Sequence, residues 1–202
     1  MNKIGCIVEG YGDVGAVPVL IRRIASDLYP ELPINVLRPN RVHRNRVIKQ
    51  GELEREVKLV AQKVSGKGAI FIIFDSDDDC PAELGPALLQ RALDVHGNIP
   101  ITVVLAKYEF EAWFITAIES LSDQRGLRKD ISSPDNPEGI RNAKGWLSQQ
   151  MEGNRKYRET LDQAAFSASF NLEQARHADS FDKCYQEIVR LLEELQKQHE
   201  NG

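Results

Sequence analysis

The chain has 202 residues, of which 42% are hydrophobic and 28% are charged, and this composition predicts a compact globular protein rather than a disordered one. Neither the apolar core of a secretory signal nor a run near the roughly 20 apolar residues of a bilayer-spanning helix is present, so we expect a cytoplasmic protein without membrane attachment. Three scattered cysteines argue against a disulfide framework or a CxxC zinc site, and a net charge of −4 is compatible with a local basic surface for nucleic acid.

The first part of the chain alternates predicted strands and helices. A short apolar run at residues 3–8 predicts a strand, and a glycine-rich loop leads from it into a helix over residues 17–29. A second strand at residues 33–39 precedes a basic connector, which we interpret as a loop. Apolar residues then recur at helical spacing over residues 52–64, and Gly66 and Gly68 are expected to end that helix.

The run AIFIIFD at residues 69–75 is continuously apolar, which is typical of a central strand buried on both faces of a parallel sheet. An acidic loop follows it, then a helix around residues 86–95 and a fourth strand at residues 100–106. Repeated strand-helix units predict an α/β fold with a mostly parallel central sheet of about four strands flanked by helices.

From Tyr108 onward the pattern is helical, so we divide the chain into a catalytic domain at residues 1–120 and a helical C-terminal extension at residues 121–202. Asn171 and Gln174 have the spacing of a capping box. Ser180 is the expected N-cap of a closing helix whose apolar stripe contains Phe181, Tyr185, Ile188, Leu192 and Leu195.

The loop IVEGYGDVG at residues 7–15 has two interpretations. Its three glycines fit the dinucleotide fingerprint GxGxxG, which is weak evidence when it stands alone. A nucleotide-binding helix would place Pro18 beyond its first turn, so we expect the helix to begin near residues 15–17 instead. The second strand also ends in Arg38 rather than in an acid for the ribose, and Glu9 would lie beside a pyrophosphate. These features favour the second interpretation, a metal site.

Carboxylates follow two of the predicted strands. Glu9 ends the first strand, and Asp75 and Asp77 emerge on one side at the end of the third. Because parallel strands place their carboxyl ends at one edge of the sheet, we expect these acids to meet there. Two such charges about 4 Å apart repel by roughly 4 kcal/mol, so a cluster needs a cation or protonation. Oxygen ligands without His or Cys select Mg²⁺ or Mn²⁺.

Glu-Gly after a first strand, with Asp-x-Asp after a later central strand, resembles the TOPRIM domain of primases, topoisomerases, RecR-type repair proteins and OLD-type nucleases. The stretch VEGYGD is similar to the OLD and RNase M-type pattern, in which a second acid follows the glutamate by four residues. More narrowly, DSDDDCPAELGP, VVLAKYEFEAWF and SFDKCYQEI together resemble the family called domain of unknown function 4276, over most of the chain.

This resemblance implies a TOPRIM-like Rossmannoid domain and a nuclease that cleaves DNA or RNA with Mg²⁺ or Mn²⁺. It also implies an ATPase partner in trans, because the sequence has no P-loop motif, and a role in phage defence. Asp13 is either a metal ligand or a turn or cap residue, and Asp79 is either a ligand or a helix-start residue. Glu109 and Glu111 are both candidates for the acid that the OLD-type resemblance implies after the fourth strand, and Glu111 is favoured. The implied catalytic acids are Glu9, Asp75, Asp77 and Glu111, and the implied metal ligands are these four with Asp13 and Asp79.

The basic connector is the expected nucleic-acid contact, because a phosphate backbone beside an acidic metal site needs positive charge for affinity and orientation. A solvated loop is the simpler alternative. Its predicted nucleic-acid-binding residues are Arg38, Arg41, Arg44, Arg46 and Lys49, and His43 lies in the same connector.

Three rival functions stay open. The first is a metal and nucleic-acid binding module without catalysis, and the second is an NAD(P)-binding enzyme. A phosphatase of the haloacid dehalogenase type fits less well, because its nucleophile follows the first strand. Trp113 and Phe114 are expected in the core rather than as a base-stacking platform, and the oligomeric state is left open.

Overall fold

A computed structural model describes residues 1–65 and 68–200 as an α/β fold. The strands in this part of the chain are β1 (Asn2–Val8), β2 (Ile34–Val36), β3 (Asn40–Arg41), β4 (Gly68–Asp75) and β5 (Ile101–Ala106). The helices are α1 (Asp13–Leu28), α2 (Arg44–Val47), α3 (Glu52–Val64), α4 (Pro81–His96), α5 (Ala112–Thr116), α6 (Ala143–Gln149), α7 (Glu159–Ser169), α8 (Leu172–Ala175) and α9 (Asp179–Glu200), with 3₁₀ turns at Ile118–Leu121 and Pro137–Gly139.

The sheet is parallel throughout its described strands, with the order β2-β1-β4-β5. The register pairs Cys6 of β1 with Phe71 of β4, and Phe71 with Thr102 of β5. The short β3 pairs with the end of β1, where Val8 lies beside Arg41. The predicted α/β class and parallel sheet are therefore confirmed, with a fifth strand that the sequence analysis placed in a loop.

Two hydrophobic clusters cover the two faces of the sheet, and β4 contributes to both. Phe71 and Ile73 point into the cluster formed with α1, α5 and α9, while alternate residues such as Ile72 pack on α3 and α4. This double burial confirms the prediction of a central strand. Trp113 and Phe114 are fully buried in the first cluster, as expected.

The C-terminal helices pack on the N-terminal part of the chain. Phe166 of α7 and Leu192 of α9 are buried in the same cluster as Ile4 and Leu20. Helix α7 lies directly against α1. The core therefore continues across residue 120, and the division into two domains stays a prediction.

Three helices begin earlier than predicted. Helix α1 begins at Asp13, where the Gly12 carbonyl accepts bonds from two amides, and Pro18 lies inside the helix. Pro18 and its apolar neighbours on α1 are buried, and this burial offsets the lost hydrogen bond. The expected helix start near residues 15–17, and the objection to a nucleotide loop that depended on it, were therefore wrong. Helix α4 begins at Pro81, and α9 begins at Asp179, so Ser180 is not its N-cap.

The structure also describes the predicted cap of α8, the end of α3 and the apolar character of the helices. The side chain of Asn171 accepts a bond from the Gln174 amide and caps α8 as predicted. Helix α3 ends before Ser65, which takes the left-handed conformation at φ 56°; Gly66 lies outside the described residues, and Gly68 begins β4. None of the helices that the structure describes has the length and apolar character needed to cross a membrane.

Candidate functional site

The predicted carboxylates meet in one cavity of about 330 Å³ at the carboxyl edge of the sheet. Its lining includes five of the six predicted metal ligands: Glu9, Asp13, Asp75, Asp77 and Glu111. The chain segments after β1, β4 and β5 bring them together, as the parallel topology requires. The central expectation of the sequence analysis, that distant acids share one edge, is therefore confirmed.

Two loops fix the acids at the end of β4. Asp75 is the last residue of the strand, and its Oδ1 accepts a hydrogen bond of 2.8 Å from the Phe110 amide in the next loop. Asp77 lies in a turn with φ 49°, in the left-handed region that Asp tolerates better than most residues. The turn, rather than strand alternation alone, directs Asp77 to the same cavity as Asp75.

Glu111 is the most deeply buried of these acids, with 1% of its surface exposed. Its Oε1 accepts a 3.0 Å hydrogen bond from the Tyr157 hydroxyl, whereas its Oε2 has no hydrogen-bond partner among the described residues. Burial raises the pKa of Glu111 from 4.5 to about 7, and the charge of Asp13 adds to the increase.

The pKa values of three other acids in the cavity are also raised. Burial raises the pKa of Asp75 well above its usual value, and the nearby Glu111 charge raises it further. Burial also raises the pKa of Asp13, although the Gly10 amide and the Gln163 side chain donate to its two oxygens at 2.8 and 2.7 Å. The pKa of Glu9 is raised by burial too, and its Oε1 accepts a bond from a backbone amide of α2. Carboxylates with raised pKa values in a shared cleft make it a candidate functional site.

Lys144, which the sequence analysis missed, supplies positive charge inside the cavity. Its Nζ lies 3.5 Å from Glu109, 3.6 Å from Glu111 and 3.7 Å from Glu159. Burial alone would lower the pKa of this ammonium, but the charges of Glu111 and Asp75 outweigh burial and raise it. Lys144 is therefore a resident countercharge for the inner acids.

Glu109 positions this lysine rather than lining the cavity. Its Oε1 accepts a 3.0 Å bond from the Ala143 amide, and the Asn142 side chain accepts another from Gly145, so the first turn of α6 is fixed. The structure thus separates Glu109 from Glu111 and places the favoured Glu111 at the site.

The cavity fits a hard divalent cation in its chemistry but does not present a finished ligand set. No three His, Cys, Asp or Glu side chains in the described ranges are already spaced around a common ion position. The predicted ligands are nevertheless all carboxylates, and Glu111 Oε2, which accepts no hydrogen bond within the described residues, has Lys144 Nζ 3.6 Å away as its charged neighbour. Such a donor set suits Mg²⁺ or Mn²⁺.

Asp79 and most of the predicted basic residues do not line the acidic cavity. Arg44 is buried and forms ion pairs with Asp77, at 3.4 Å, and with Asp79, which lines a separate cavity. Arg46 is paired with Glu52 at 2.7 Å. Arg38 and Lys49 are exposed and do not line the acidic cavity, whereas Arg41 and His43 do.

The first turn of α1 is filled by the chain itself. A Cβ added to Gly12 would lie 1.8 Å from Gln163 Oε1 and 2.9 Å from the Glu159 carbonyl oxygen. Helix α7 therefore occupies the space where a dinucleotide-binding loop receives its pyrophosphate. This packing disfavours the NAD(P) interpretation on grounds that replace the mistaken argument from Pro18.

Comparison with known proteins identifies the family and nothing narrower. No curated protein and no solved structure matches the chain. A family model does match residues 8–188, which include every carboxylate of the cavity. The chain therefore belongs to the family described as Domain of unknown function (DUF4276).

Proposed function

We propose that the protein is a nuclease that hydrolyses phosphodiester bonds with Mg²⁺ or Mn²⁺ in the acidic cavity. The observation that carries the proposal is the meeting of six carboxylates, the five predicted ligands and Glu159, from separate chain segments in one cavity at the carboxyl edge of the sheet. Burial, with the neighbouring charges, raises the pKa values of four of these acids (Glu9, Asp13, Asp75 and Glu111), so holding them as anions costs free energy that a bound cation would offset. The likeness of the Glu9 and Asp75/Asp77 motifs to TOPRIM proteins supports the same chemistry.

When bound, the metal would supply Lewis-acid activation of the phosphate and of the attacking water. Glu9, Asp75 and Asp77 are the side chains proposed to hold it. Glu111 offers as a further ligand its Oε2, which accepts no hydrogen bond within the described residues and lies 3.6 Å from Lys144 Nζ. Asp13, held by Gly10 and Gln163, fixes the loop that carries Glu9.

Lys144 contributes the positive charge that a phosphodiester needs inside an acidic cavity. Its side chain is two-fifths exposed, and its ammonium lies within ion-pair distance of three glutamates. A phosphate that enters would offer this group a further charged partner, and charge-assisted hydrogen bonds are among the strongest that proteins form. We propose that Lys144 holds a non-bridging oxygen of the substrate. The OLD-type likeness also suggests an ATPase on another chain and a role in phage defence.

One observation favours a second candidate, the non-catalytic metal and nucleic-acid binding module. Lys144 already compensates the inner acids, so the cavity does not require an ion in order to fold. A module of this kind would bind Mn²⁺ and retard DNA without cutting it.

The decisive experiment compares two aspartates of the same loop. Asp77→Asn removes a cavity charge at constant volume, whereas Asp78→Asn alters a residue that pairs with Arg141 and lines the other cavity. Supercoiled plasmid, circular single-stranded DNA and an RNA transcript are incubated with Mn²⁺ or Mg²⁺. We expect cleavage by the wild type and by Asp78→Asn, and a loss of roughly 100-fold or more in Asp77→Asn, as for other groups that stabilise transition-state charge.

Equal cleavage by the two variants would refute the nuclease proposal. Calorimetric titration with Mn²⁺ provides a readout that does not depend on activity, and Asp77→Asn should weaken the ion's binding. If the wild type binds Mn²⁺ and DNA but leaves all three substrates intact, the binding module replaces the nuclease.

A further inference from the structure

Tyr11 lies at the mouth of the acidic cavity with 65% of its surface exposed. It occupies the turn between β1 and α1, in the loop that also carries Glu9. Single exposed aromatic residues are ordinary on protein surfaces, so exposure alone assigns nothing to Tyr11. Its partner and its position beside the catalytic acids are what give it a role.

Arg41 is held against the ring of Tyr11. Its guanidinium lies 3.9 Å from the ring centroid, and its Nη2 donates to the Tyr11 hydroxyl at 3.2 Å. Its Nη1 donates to the Glu9 carbonyl oxygen at 3.3 Å, and β-pairing with Val8 fixes its backbone. Within residues 1–65 and 68–200, Arg41 forms no ion pair with a carboxylate. It is therefore a pre-positioned, uncompensated positive charge at the entrance of an acidic cavity.

We infer that this entrance selects single-stranded nucleic acid, with one unpaired base stacked on Tyr11 and the adjoining phosphate held by Arg41. The inference rests on the proposed function, because it names the substrate of the same cavity. Arg41 covers one face of the ring, and the exposed remainder is open to a base. Every base has a flat face that an aromatic side chain can stack on, but a duplex buries that face between neighbouring pairs.

The charge distribution also favours a single strand over a duplex. Proteins that grip duplex DNA neutralise about 6–10 phosphates with a row of cations. Here Arg44 is committed to Asp77 and Asp79, so of the five basic residues predicted to bind nucleic acid, Arg41 alone lines the cavity in the described structure. In addition, Glu111 is 1% exposed, so the scissile phosphate must enter the cavity rather than lie across its mouth. A flexible single strand can bend into it.

The test measures binding apart from cleavage. Fluorescein-labelled 12-nucleotide single-stranded DNA, RNA of the same sequence and the matching DNA duplex are titrated with protein in Ca²⁺, and anisotropy gives each Kd. We expect both single strands to bind more tightly than the duplex. Tyr11→Ala should raise the single-strand Kd roughly 5- to 100-fold, the range of base-aromatic stacking, and leave the duplex Kd within about twofold. Tyr11→Phe should stay close to the wild type.

Tyr185 provides a matched control. It is another tyrosine with an arginine over its ring, since Arg176 lies 4.7 Å from its centroid, and it does not line the acidic cavity. Tyr185→Ala should leave every Kd unchanged. A second variant, Tyr11→Trp, should keep single-strand affinity and gain an indole emission, above that of the two native tryptophans, that single-stranded oligonucleotide quenches.

The outcomes separate this inference from the proposed function. Unchanged single-strand affinity in Tyr11→Ala, no quenching in Tyr11→Trp, tighter binding of the duplex, or no oligonucleotide binding at all would overturn the stacking role, even where the wild type cleaves DNA. Conversely, Tyr11-dependent binding without any metal-dependent cleavage would support the stacking role and refute the nuclease. The DNA and RNA arms show which strand the cavity prefers.

Discussion

The buried charge of Glu111 makes a quantitative prediction about the metal-free protein. Its pKa is 4.5 when unperturbed and about 7 in the folded state, so between these values the folded chain retains a proton that the unfolded chain has lost. Stability contributed by this group therefore falls as pH rises through that window, and the penalty is complete above pH 7. A shift of this size corresponds to about 3 kcal/mol at pH 7.5 and less than about 1 kcal/mol at pH 5.

Glu111→Gln removes the charge and keeps the Oε1 acceptor that faces the Tyr157 hydroxyl. We expect the variant to be more stable than the wild type by up to about 3 kcal/mol at pH 7.5 in EDTA, and by less than about 1 kcal/mol at pH 5. For a chain of this size the larger figure raises Tm by about 6–12 °C. Urea titrations and thermal scans at the two pH values measure the difference, and circular dichroism verifies the fold.

Metal addition provides the second half of the same experiment. If Glu111 is a ligand, Mn²⁺ should raise the Tm of the wild type more than that of Glu111→Gln, because a ligand that binds the folded state stabilises it. A variant that is destabilised equally at pH 5 and pH 7.5, and that responds to Mn²⁺ like the wild type, would refute this reasoning. Glu111 would then be a structural partner of Lys144 and Tyr157.

Two further predictions concern the contacts around the site. Lys144→Met should lower the free energy of unfolding by about 1–2 kcal/mol at pH 7.5 in EDTA, a value reduced because the lysine side chain is partly exposed. Much of this loss should disappear at pH 5, because the carboxylates take up protons. An equal loss at both pH values would contradict the countercharge role. Gly12→Ala should cost about 1–3 kcal/mol because its Cβ would overlap Gln163 and approach the Glu159 carbonyl, while Gly85→Ala, whose Cβ would meet nothing within 4 Å, should be neutral or stabilising by up to about 1 kcal/mol in urea titrations.

The sequence predicted those parts of the site that local patterns determine. An apolar run that ends in Asp75 identifies both a buried strand and its carboxyl end, and parallel topology then places Glu9 beside it. The same reasoning predicted the fourth strand, whereas the acid after it, Glu111, was implied by the resemblance to OLD-type nucleases. The strand assignments depend on runs of neighbouring residues, so the local pattern is enough to make them.

Lys144, Glu159 and Gln163 could not be found in this way, because helix packing brings them to the cavity. Gln163 meets Asp13 across the contact between α1 and α7, 150 residues away in the chain. In the sequence, Gln163 looks like any polar residue of a helix, so nothing in the pattern indicates its contact with Asp13. The start of α1 was predicted wrongly for a related reason. A proline inside a helix costs a hydrogen bond, and the sequence pattern does not show that burial of Pro18 offsets this cost.

Ser180, which was predicted as an N-cap, instead links several segments of the chain by hydrogen bonds. Its Oγ accepts bonds from the Lys107 amide, at 3.1 Å, and from the Trp113 indole, at 2.8 Å, and it also contacts the buried Glu138. Ser180 thus joins α9 to the loop after β5, and Trp113 lies two residues from Glu111. The closing helix is therefore hydrogen-bonded to the segment that presents the deepest acid, so the C-terminal helices help to hold Glu111 in a position that its charge opposes.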